Sequence, residues 1–271
     1  MSIKIQYIIP FLTAGLLLAC SSDAESPESK QGCFTFGLTS EGLVEEVQTR
    51  ATHQLSDAEA ADYNITLTDA DGLVWSRPYA DITLADRTQP LGGGYVLSAE
   101  DCTLEEAESL NEGWGCRRIA GASDSFSIVE GQTTPVTITC GMANAGLCVI
   151  FDKSFTDYFL EYAVTTDDWR VLKFNASNGA EFDNQNHLTR GTIAYYNVDN
   201  NGTHTVSVII SASAGWDGIL HIQRELVLRK GGVTRLYVRK GEPNEGQVDL
   251  GITVDSEFNV EYEYIDVPVE D

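Results

Sequence analysis

The segment Cys33-Phe34-Thr35-Phe36-Gly37-Leu38 alternates large apolar residues with small or polar ones. The same period returns in Tyr63-Asn64-Ile65-Thr66-Leu67-Thr68. A period of two places every second side chain on one face of a β-strand, so each segment predicts a strand with one buried face. These segments therefore favour an all-β fold.

Further short runs of β-branched and aromatic residues follow along the chain, and turn dipeptides separate them. Helical signals are rare, because the capping-box pattern Ser56-Asp57-Ala58-Glu59 is followed by a run that allows about two turns at most. Many short strands with few helices predict β-sandwiches. The remaining runs lie at 73–75, 95–97, 126–129, 136–140, 147–151, 159–164, 192–198, 204–210, 219–228, 233–238, 248–254 and 258–265.

Two segments of the chain echo each other. Residues 126–138 and 226–238 both read as strand, glycine turn, threonine, strand. Each is interpreted as the closing hairpin of one sandwich. Small residues at 141–146 separate two predicted strands and mark a boundary. A chain of 271 residues is long enough for one large or two ordinary domains. The echo favours two, at 33–140 and 145–265.

The N-terminal residues have the pattern of a bacterial lipoprotein signal. An apolar run over 5–19 is too short to span a bilayer, and Cys20 directly follows Leu17-Leu18-Ala19. Residues 1–19 are predicted to be a signal peptide and Cys20 the lipidated residue, whose acyl chains would anchor the protein stably in the membrane. Residues 20–32 are predicted to be a flexible acidic tether. The alternative is an ordinary secretory signal with a chance cysteine.

The charge of the chain limits its partners. It has 41 acidic and 17 basic residues, which gives a formal net charge of −24. Such a surface repels nucleic acid and anionic lipid head groups, so we expect no nucleic-acid partner.

The cysteine spacing predicts one disulfide. Cys102 and Cys116 enclose a loop of thirteen residues, and a crosslink there would be favoured in an oxidising compartment. Cys33, Cys140 and Cys148 lie on or beside predicted strands, where a cysteine usually acts as a small apolar residue. The pairing of these three stays open.

No catalytic motif is present. The motifs of serine hydrolases, zinc proteases and phosphate-binding loops are absent, and no histidine has the spacing of a zinc site or of a nucleophile and base. Residues 197–202 match the first half of a calcium loop, but Val208 stands where a glutamate is required. We therefore expect a non-enzymatic protein with no cofactor and no metal. A hydrolase that uses two of the many carboxylates stays an alternative. The four histidines are His53, His187, His204 and His221.

Two tryptophans are predicted to contact a ligand. Trp114 and Trp216 lie beside glycines in turn-like segments, and exposed tryptophans stack on sugar rings or anchor interfaces. The alternative is a turn tryptophan that folds back over the edge of its own sandwich. Trp75 and Trp169 lie in strand-like runs and are predicted to be core residues.

Several segments together resemble a largely uncharacterised family of Bacteroidetes surface lipoproteins related to the fimbrillins, the pilus proteins of that phylum. The resemblance implies two tandem β-sandwich domains of fimbrillin-like, Greek-key or transthyretin-like topology. It also implies a lipoprotein of the outer membrane that is exposed at the cell surface. The segments are Cys20 with its acidic tether, 32–38 with 49–51, 91–97, 136–144 and the series Phe151, Phe155 and Phe159.

The resemblance further implies a role in cell adhesion. In polymerising fimbrillins an arginine-specific protease removes the lipidated segment with the first strand, and a strand of another subunit fills the groove. Arg50 before Ala51 matches the position of such a cleavage site. In an uncleaved anchor or accessory subunit, Arg50 would instead be a solvated loop residue. The second hypothesis is a glycan-binding lipoprotein of a polysaccharide-uptake system that uses Trp114 or Trp216. Expected partners are therefore the membrane, other pilus subunits, or a surface glycan or protein.

Overall fold

The structure is a computed structural model that describes residues 30–41, 52–181, 191–215, 218–240, 253–255 and 260–267. Most of these residues lie in β-strands, and the helices are short. The predicted all-β sandwich class is confirmed. None of the helices in the described ranges is long and apolar enough to cross a membrane.

The first half of the chain, residues 31–142, builds a nine-stranded sheet from the described strands. The strand order is β2-β1-β9-β7-β6-β3-β4, with β5 paired to β1 and β8 paired to β6. The strands are β1 (Gln31–Glu41), β2 (Thr52–Gln54), β3 (Asn64–Asp69), β4 (Gly72–Pro78), β5 (Thr88–Pro90), β6 (Gly92–Glu100), β7 (Ile119–Ala122), β8 (Phe126–Ile128) and β9 (Thr133–Met142).

Short helices connect some of these strands. Helix α1 (Asp57–Ala60) has the capping box that the sequence predicts at Ser56 and Glu59. Helix α2 (Leu104–Ser109) has a second capping box, formed by Thr103 and Glu106. The 3₁₀ helices are Tyr79–Asp81 and Asn111–Gly113.

Strand β1 has the one-sided burial that its alternation predicts. It runs parallel to β9 on one side and antiparallel to β5 and β2 on the other. Phe34 and Leu38 point into the core of the first half, with 1 % and 2 % of their surface exposed, whereas Thr35 is exposed. A strand with this pattern is fixed in register, because a shift by one residue would expose its apolar side chains.

The second half, residues 145–267, builds two sheets. The six-stranded sheet has the order β13-β10-β17-β19-β18 with β14 paired to β10, and the four-stranded sheet has the order β12-β11-β15-β16. Helix α3 (Lys153–Thr156) follows β10. The strands are β10 (Ala145–Phe151), β11 (Glu161–Thr166), β12 (Lys173–Phe174), β13 (Ala180–Glu181), β14 (Ile193–Tyr196), β15 (Thr203–Ser213), β16 (Leu220–Arg229), β17 (Val233–Lys240), β18 (Thr253–Asp255) and β19 (Val260–Val267).

Strand β10 is buried on both faces. Leu147, Val149 and Phe151 face the core between the two sheets of the second half. Cys148 and Ile150 belong to a smaller cluster on the opposite face. A continuous apolar run is typical of such a strand, because neither face meets water.

The two repeated segments fold as strand, turn, strand, but the predicted hairpins are wrong. Strand β8 pairs with β6, whereas β9 pairs with β1 and β7. In the same way β16 pairs with β15, and β17 pairs with β10 and β19. Gly131 and Gly231 turn the chain with positive φ angles of 69° and 79°. Local sequence predicts the turns, but the strand partners are set by distant residues.

The predicted boundary lies where β9 ends at Met142 and β10 begins at Ala145. The division into two separate domains stays a prediction, and the terms first half and second half are used below.

Candidate functional site

Several predicted site residues lie outside the part of the chain that the structure describes. They are Cys20, Arg50, Ala51 and Trp216. The signal peptide over 1–19 and the tether up to residue 29 also lie outside it.

Strand β1 is held by aromatic contacts on its inward face. The ring of Phe34 lies 6.2 Å from the ring of Phe36 and 5.5 Å from that of Phe126. Phe36 in turn meets the edge of Tyr79 at 5.7 Å. Aromatic pairs at such distances stabilise by about 0.5 to 1.5 kcal/mol beyond the burial of their surface. These contacts hold the first strand against the core. None of the described cysteines forms a disulfide that would attach the strand covalently.

An open cavity of about 370 Å³ lies beside this strand. The Tyr79 hydroxyl donates a hydrogen bond of 2.8 Å to the Asp57 carboxylate on its wall. Burial raises the pKa of Tyr79, and the hydrogen bond to Asp57 adds to that rise. The cavity is lined by Phe36, Asp57, Tyr79, Ala80, Ile82 and Arg87. The wall of the cavity carries one carboxylate, Asp57, one guanidinium, Arg87, and two aromatic rings. These groups do not form a pair of a nucleophile and a general base.

A loop between β6 and β7, residues 102–116, reaches from the first half to the second half, and we call it the clasp loop. Trp114 lies at its far end and is partly buried. Its ring meets Phe174 of the second core edge-on at 4.9 Å, and its carbonyl oxygen accepts the Tyr195 N–H at 2.8 Å. The structure thus packs Trp114 against the other half of the chain. Its contact with a ligand stays a prediction.

Arg170 of the second half is buried against the clasp loop, with 2 % of its side chain exposed. Its Nη1 donates to the carbonyl oxygens of Gly113 at 3.1 Å and Tyr195 at 2.7 Å. The guanidinium carbon lies 4.0 Å from the centre of the Tyr196 ring. Burial and the nearby Asp168 carboxylate raise the pKa of Tyr196. An arginine suits this place, because its planar fork can donate to two carbonyls and stack on a ring at once.

Trp169 is not a core residue, and that prediction is wrong. Its side chain is 70 % exposed, in the connection between β11 and β12. The Asp168 carboxylate accepts the N–H groups of Arg170 at 2.9 Å and Val171 at 3.1 Å, which fixes this turn. Val171 has a positive φ of 51°, a strained conformation for a β-branched residue. The adjacent acids at 167 and 168 were the sequence signal for a turn rather than a strand.

The cysteines divide into a close pair and three separate thiols. The Sγ atoms of Cys102 and Cys116 lie 3.7 Å apart, and both residues are free thiols in the structure. Burial raises the pKa of Cys140 and the pKa of Cys148 to about 11 each. The Cys33 Sγ lies 3.2 Å from the Thr133 hydroxyl. The sequence therefore located the only pair of described cysteines whose sulfur atoms are in contact.

The segment that resembles half of a calcium loop is a turn between β14 and β15. Asp199 Oδ1 accepts the N–H groups of Asn201 at 2.9 Å and Thr203 at 3.0 Å. The backbone hydrogen bond from Thr203 lowers the pKa of Asp199. In the described ranges no group of three or more His, Cys, Asp or Glu residues is placed to hold a metal ion.

Comparison with protein families gives one match. The model of a family described as "Domain of unknown function (DUF4493)" matches residues 30–269. No curated protein matches the chain.

Three solved structures with similar chains are fimbrial proteins. The fimbrial assembly protein of Parabacteroides distasonis is 12 % identical, with 77 % of this chain and 92 % of that chain covered and a TM-score of 0.37. The fimbrial protein of Bacteroides ovatus is 9 % identical, with 89 % and 51 % covered and a TM-score of 0.36. The fimbrial anchor protein of Porphyromonas gingivalis is 8 % identical, with 69 % and 81 % covered and a TM-score of 0.33. They are the class of protein that the sequence motifs resemble.

Proposed function

The chain belongs to the DUF4493 family, and from that premise we propose that it is a non-enzymatic surface lipoprotein that acts in adhesion, as a fimbrillin-like pilus component or accessory subunit. The lipoprotein pattern that ends at Cys20 and the acidic tether after it support an anchor at the outer membrane. The observation that carries the proposal is the position of β1.

Strand β1 begins at Gln31, so the last two residues of the predicted tether, 31 and 32, belong to the strand, which lies inside the sheet rather than at its edge. It carries two large side chains, Phe34 and Leu38, into the first core. Burial of such side chains stabilises by about 1.5 to 3 kcal/mol each. A cut after Arg50 would separate the tether and β1 from the rest of the chain.

Loss of β1 would leave a groove that another strand can fill. Strand β9 would lose its parallel partner along 133–140, and the inward face would lose its aromatic contacts. Backbone hydrogen bonds along β9 would give affinity to an incoming strand, and alternating apolar side chains would give it specificity. This arrangement supports subunit exchange in an adhesive fibre. Without a cut, the same strand keeps the protein attached to its lipid anchor.

The test is the N-terminus of protein isolated from its native cell surface. Mass spectrometry that finds mature chains beginning at Ala51, with a ladder of oligomers on mild denaturing gels, would support a polymerising subunit. Chains that begin at acylated Cys20 and stay monomeric would support an anchor or accessory subunit. Arg50→Gln is the matched control, because it removes the cleavage site and should abolish the ladder. An unacylated N-terminus other than Ala51 would overturn the proposal.

A second candidate function, glycan binding, is favoured by Trp169. The turn at 167–171 presents this ring to solvent, with the Arg170 guanidinium 5.3 Å from the ring centre. An exposed indole is a suitable platform for a sugar ring. The net charge of −24 disfavours anionic glycans, so a neutral polysaccharide is the expected ligand.

Affinity electrophoresis in a soluble neutral β-glucan or α-mannan tests this candidate. Trp169→Ala should weaken the affinity for the glycan roughly tenfold, which is the effect of a hot-spot residue, and the variant should be retarded less than the wild type. Trp75→Phe is the control, because the Trp75 indole is partly buried and donates to the Asp86 carbonyl at 3.0 Å. Equal retardation of both variants and the wild type would exclude Trp169 as a glycan platform.

A further inference from the structure

The tip of the clasp loop offers two backbone carbonyl oxygens to the second half. The carbonyl oxygens of Gly113 and Trp114 accept hydrogen bonds from Arg170 and from the Tyr195 N–H. The Trp114 ring adds an apolar contact with Phe174. Carbonyl oxygens can be offered in this way only when the backbone of the loop keeps its conformation. The shape of the clasp loop therefore decides whether these contacts form.

Further contacts hold the two ends of the loop. The Asn197 side chain of the second half donates to the Leu104 carbonyl at 2.7 Å, and the Asn197 backbone N–H donates to Glu108 Oε1 at 2.9 Å. At the other end, Asn144 Nδ2, in the connection between the halves, donates to the Cys116 carbonyl at 2.8 Å. The loop is thus attached to the second half at its start and tip, and to the connection between the halves at its end.

The backbone of the clasp loop is bent in an unusual way. Asn111 and Glu112 have positive φ angles of 53° and 59°, and neither is a glycine. Gly115 lies so close to its surroundings that a Cβ would come within 2.4 Å of the Ala107 carbonyl oxygen. A left-handed conformation costs about 1 kcal/mol or more for an ordinary residue such as Glu112, and less for asparagine. Such a loop needs a constraint that opposes its relaxation.

Cys102 and Cys116 lie at the base of this loop, between the end of β6 at Glu100 and the start of β7 at Ile119. Their sulfur atoms are already in contact at 3.7 Å. A disulfide has a length of about 2.05 Å, so side-chain rotation with a small backbone adjustment can close it.

We propose that Cys102 and Cys116 form a disulfide and that this disulfide locks the clasp loop onto the second half, so that the two halves move as one body. The oxidant is a thiol–disulfide oxidoreductase in its disulfide form. Each cysteine gives up its thiol proton, one sulfur–sulfur bond forms, and two electrons reduce the disulfide of the oxidoreductase to a dithiol. The proposal goes beyond the adhesive role, because it requires only export to an oxidising compartment.

The physical effect follows from the length of the loop. A crosslink that closes a loop of about 15 residues removes many conformations that the open loop could otherwise adopt. Opening of the clasp contacts should therefore become on the order of 100-fold less frequent when the bond is present. Reduction should release the loop without unfolding either core.

The first measurement counts thiols in the full chain after export to an oxidising compartment. Alkylation under denaturing conditions without reductant should label Cys33, Cys140 and Cys148 but leave Cys102 and Cys116 unlabelled. Labelling of Cys102 and Cys116 together with the other three would show that the bond does not form and would overturn the proposal.

The second measurement is hydrogen exchange at the Tyr195 amide, which donates to the Trp114 carbonyl. Dithiothreitol should raise its exchange rate by 10- to 100-fold and leave the amide of Val208, inside β15, unchanged. Unchanged exchange at Tyr195 after full reduction would show that the bond does not lock the loop.

Two variants separate the disulfide from other effects of the reductant. The double variant C102A/C116A should exchange like the reduced wild type and should not respond to dithiothreitol. The matched control Cys33→Ala should keep the full response, because Cys33 lies in β1 and outside the clasp loop. A response of the double variant to dithiothreitol would assign the effect to another thiol and overturn the proposal.

Discussion

Strands β1 and β10 open the two halves of the molecule, and their pairing is similar, although both short strands beside β1 are antiparallel to it, whereas β13 runs parallel to β10. Each runs parallel to a long strand, β9 or β17, and has two short strands along its other side. Their surroundings differ, because β1 buries one face and β10 buries both. A strand with one buried face can be replaced by any strand with matching alternation. A strand with two buried faces must match both cores at once, so replacement of the strand is sterically more demanding at β10 than at β1.

The largest effects should come from alanine substitutions at consecutive positions in these strands. Phe34→Ala and Phe151→Ala should each lower the free energy of unfolding by about 3 to 5 kcal/mol, because both rings are 1 % exposed. Ile150→Ala should cost about 2 to 5 kcal/mol, whereas Thr35→Ala should stay within about 0.5 kcal/mol. Urea unfolding measures all four. Equal costs for Thr35→Ala and Ile150→Ala would remove the distinction between one and two buried faces.

Arg170→Met tests what joins the two halves and should have the next largest effect. The substitution leaves the Gly113 and Tyr195 carbonyl oxygens without their charged donor, and it leaves the Asp168 carboxylate without a neighbouring cation. We expect a loss of about 3 kcal/mol in urea unfolding.

The control for that variant is Arg117→Met. Arg117 is exposed and directly follows the clasp loop, so its replacement should change stability by no more than about 0.5 kcal/mol. If the two variants are equally stable, Arg170 does not hold the halves together, and β1 and β10 belong to independently stable units.

The same contrast explains how far the sequence predicts the fold. Alternation predicts β1 and its buried face, because period two is a local property. The unbroken apolar run of β10 shows that a strand is buried but not which cores it meets. The repeated turns at Gly131 and Gly231 are predicted correctly, yet their strands join different partners. Pairing depends on residues far away in the chain, which a local pattern does not contain.

The surroundings of two tryptophans likewise depend on residues that a local pattern does not contain. Trp114 has the sequence context of an exposed loop, but a partner from the other half, Phe174, partly covers it. Trp169 has the context of a strand, but the Asp168 carboxylate caps a turn and leaves the ring in solvent. Spacing along a short loop limits the distance between its ends, and the Sγ atoms of Cys102 and Cys116 do lie close together, whereas the disulfide between them stays a prediction. Helix α2 is not among the predicted elements, although Thr103 and Glu106 have the sequence pattern of a capping box.

Alkaline pH should destabilise the second half through Cys148 in β10. Burial raises the pKa of this thiol to about 11, whereas an unfolded cysteine titrates near 8.5. The folded state thus favours the neutral thiol. Its contribution is complete below about pH 8.5 and is lost as the pH rises through about 11. Unfolding followed between pH 8 and 11 should show a loss of roughly 3 kcal/mol from this group. In Cys148→Ala that component should be missing, and an unaltered pH profile in the variant would exclude Cys148 as its source.

The smallest effects should come from the equivalent turns of the two halves, and there the halves should behave alike. Gly131 and Gly231 have positive φ angles of 69° and 79°, and neither has an atom within 3.4 Å of where a Cβ would stand. Alanine at either position should therefore cost about 1 kcal/mol from backbone strain alone. Gly131→Asn and Gly231→Asn should cost less, since asparagine tolerates this conformation. Thermal unfolding of the four variants measures both comparisons. Because these turns differ little in their surroundings, equal costs would show that the halves share a turn geometry and differ in what their first strands bury. A much larger cost at Gly231 would mean that its N–H bond to the Asn144 carbonyl, at 3.0 Å, makes this turn part of the junction between the halves.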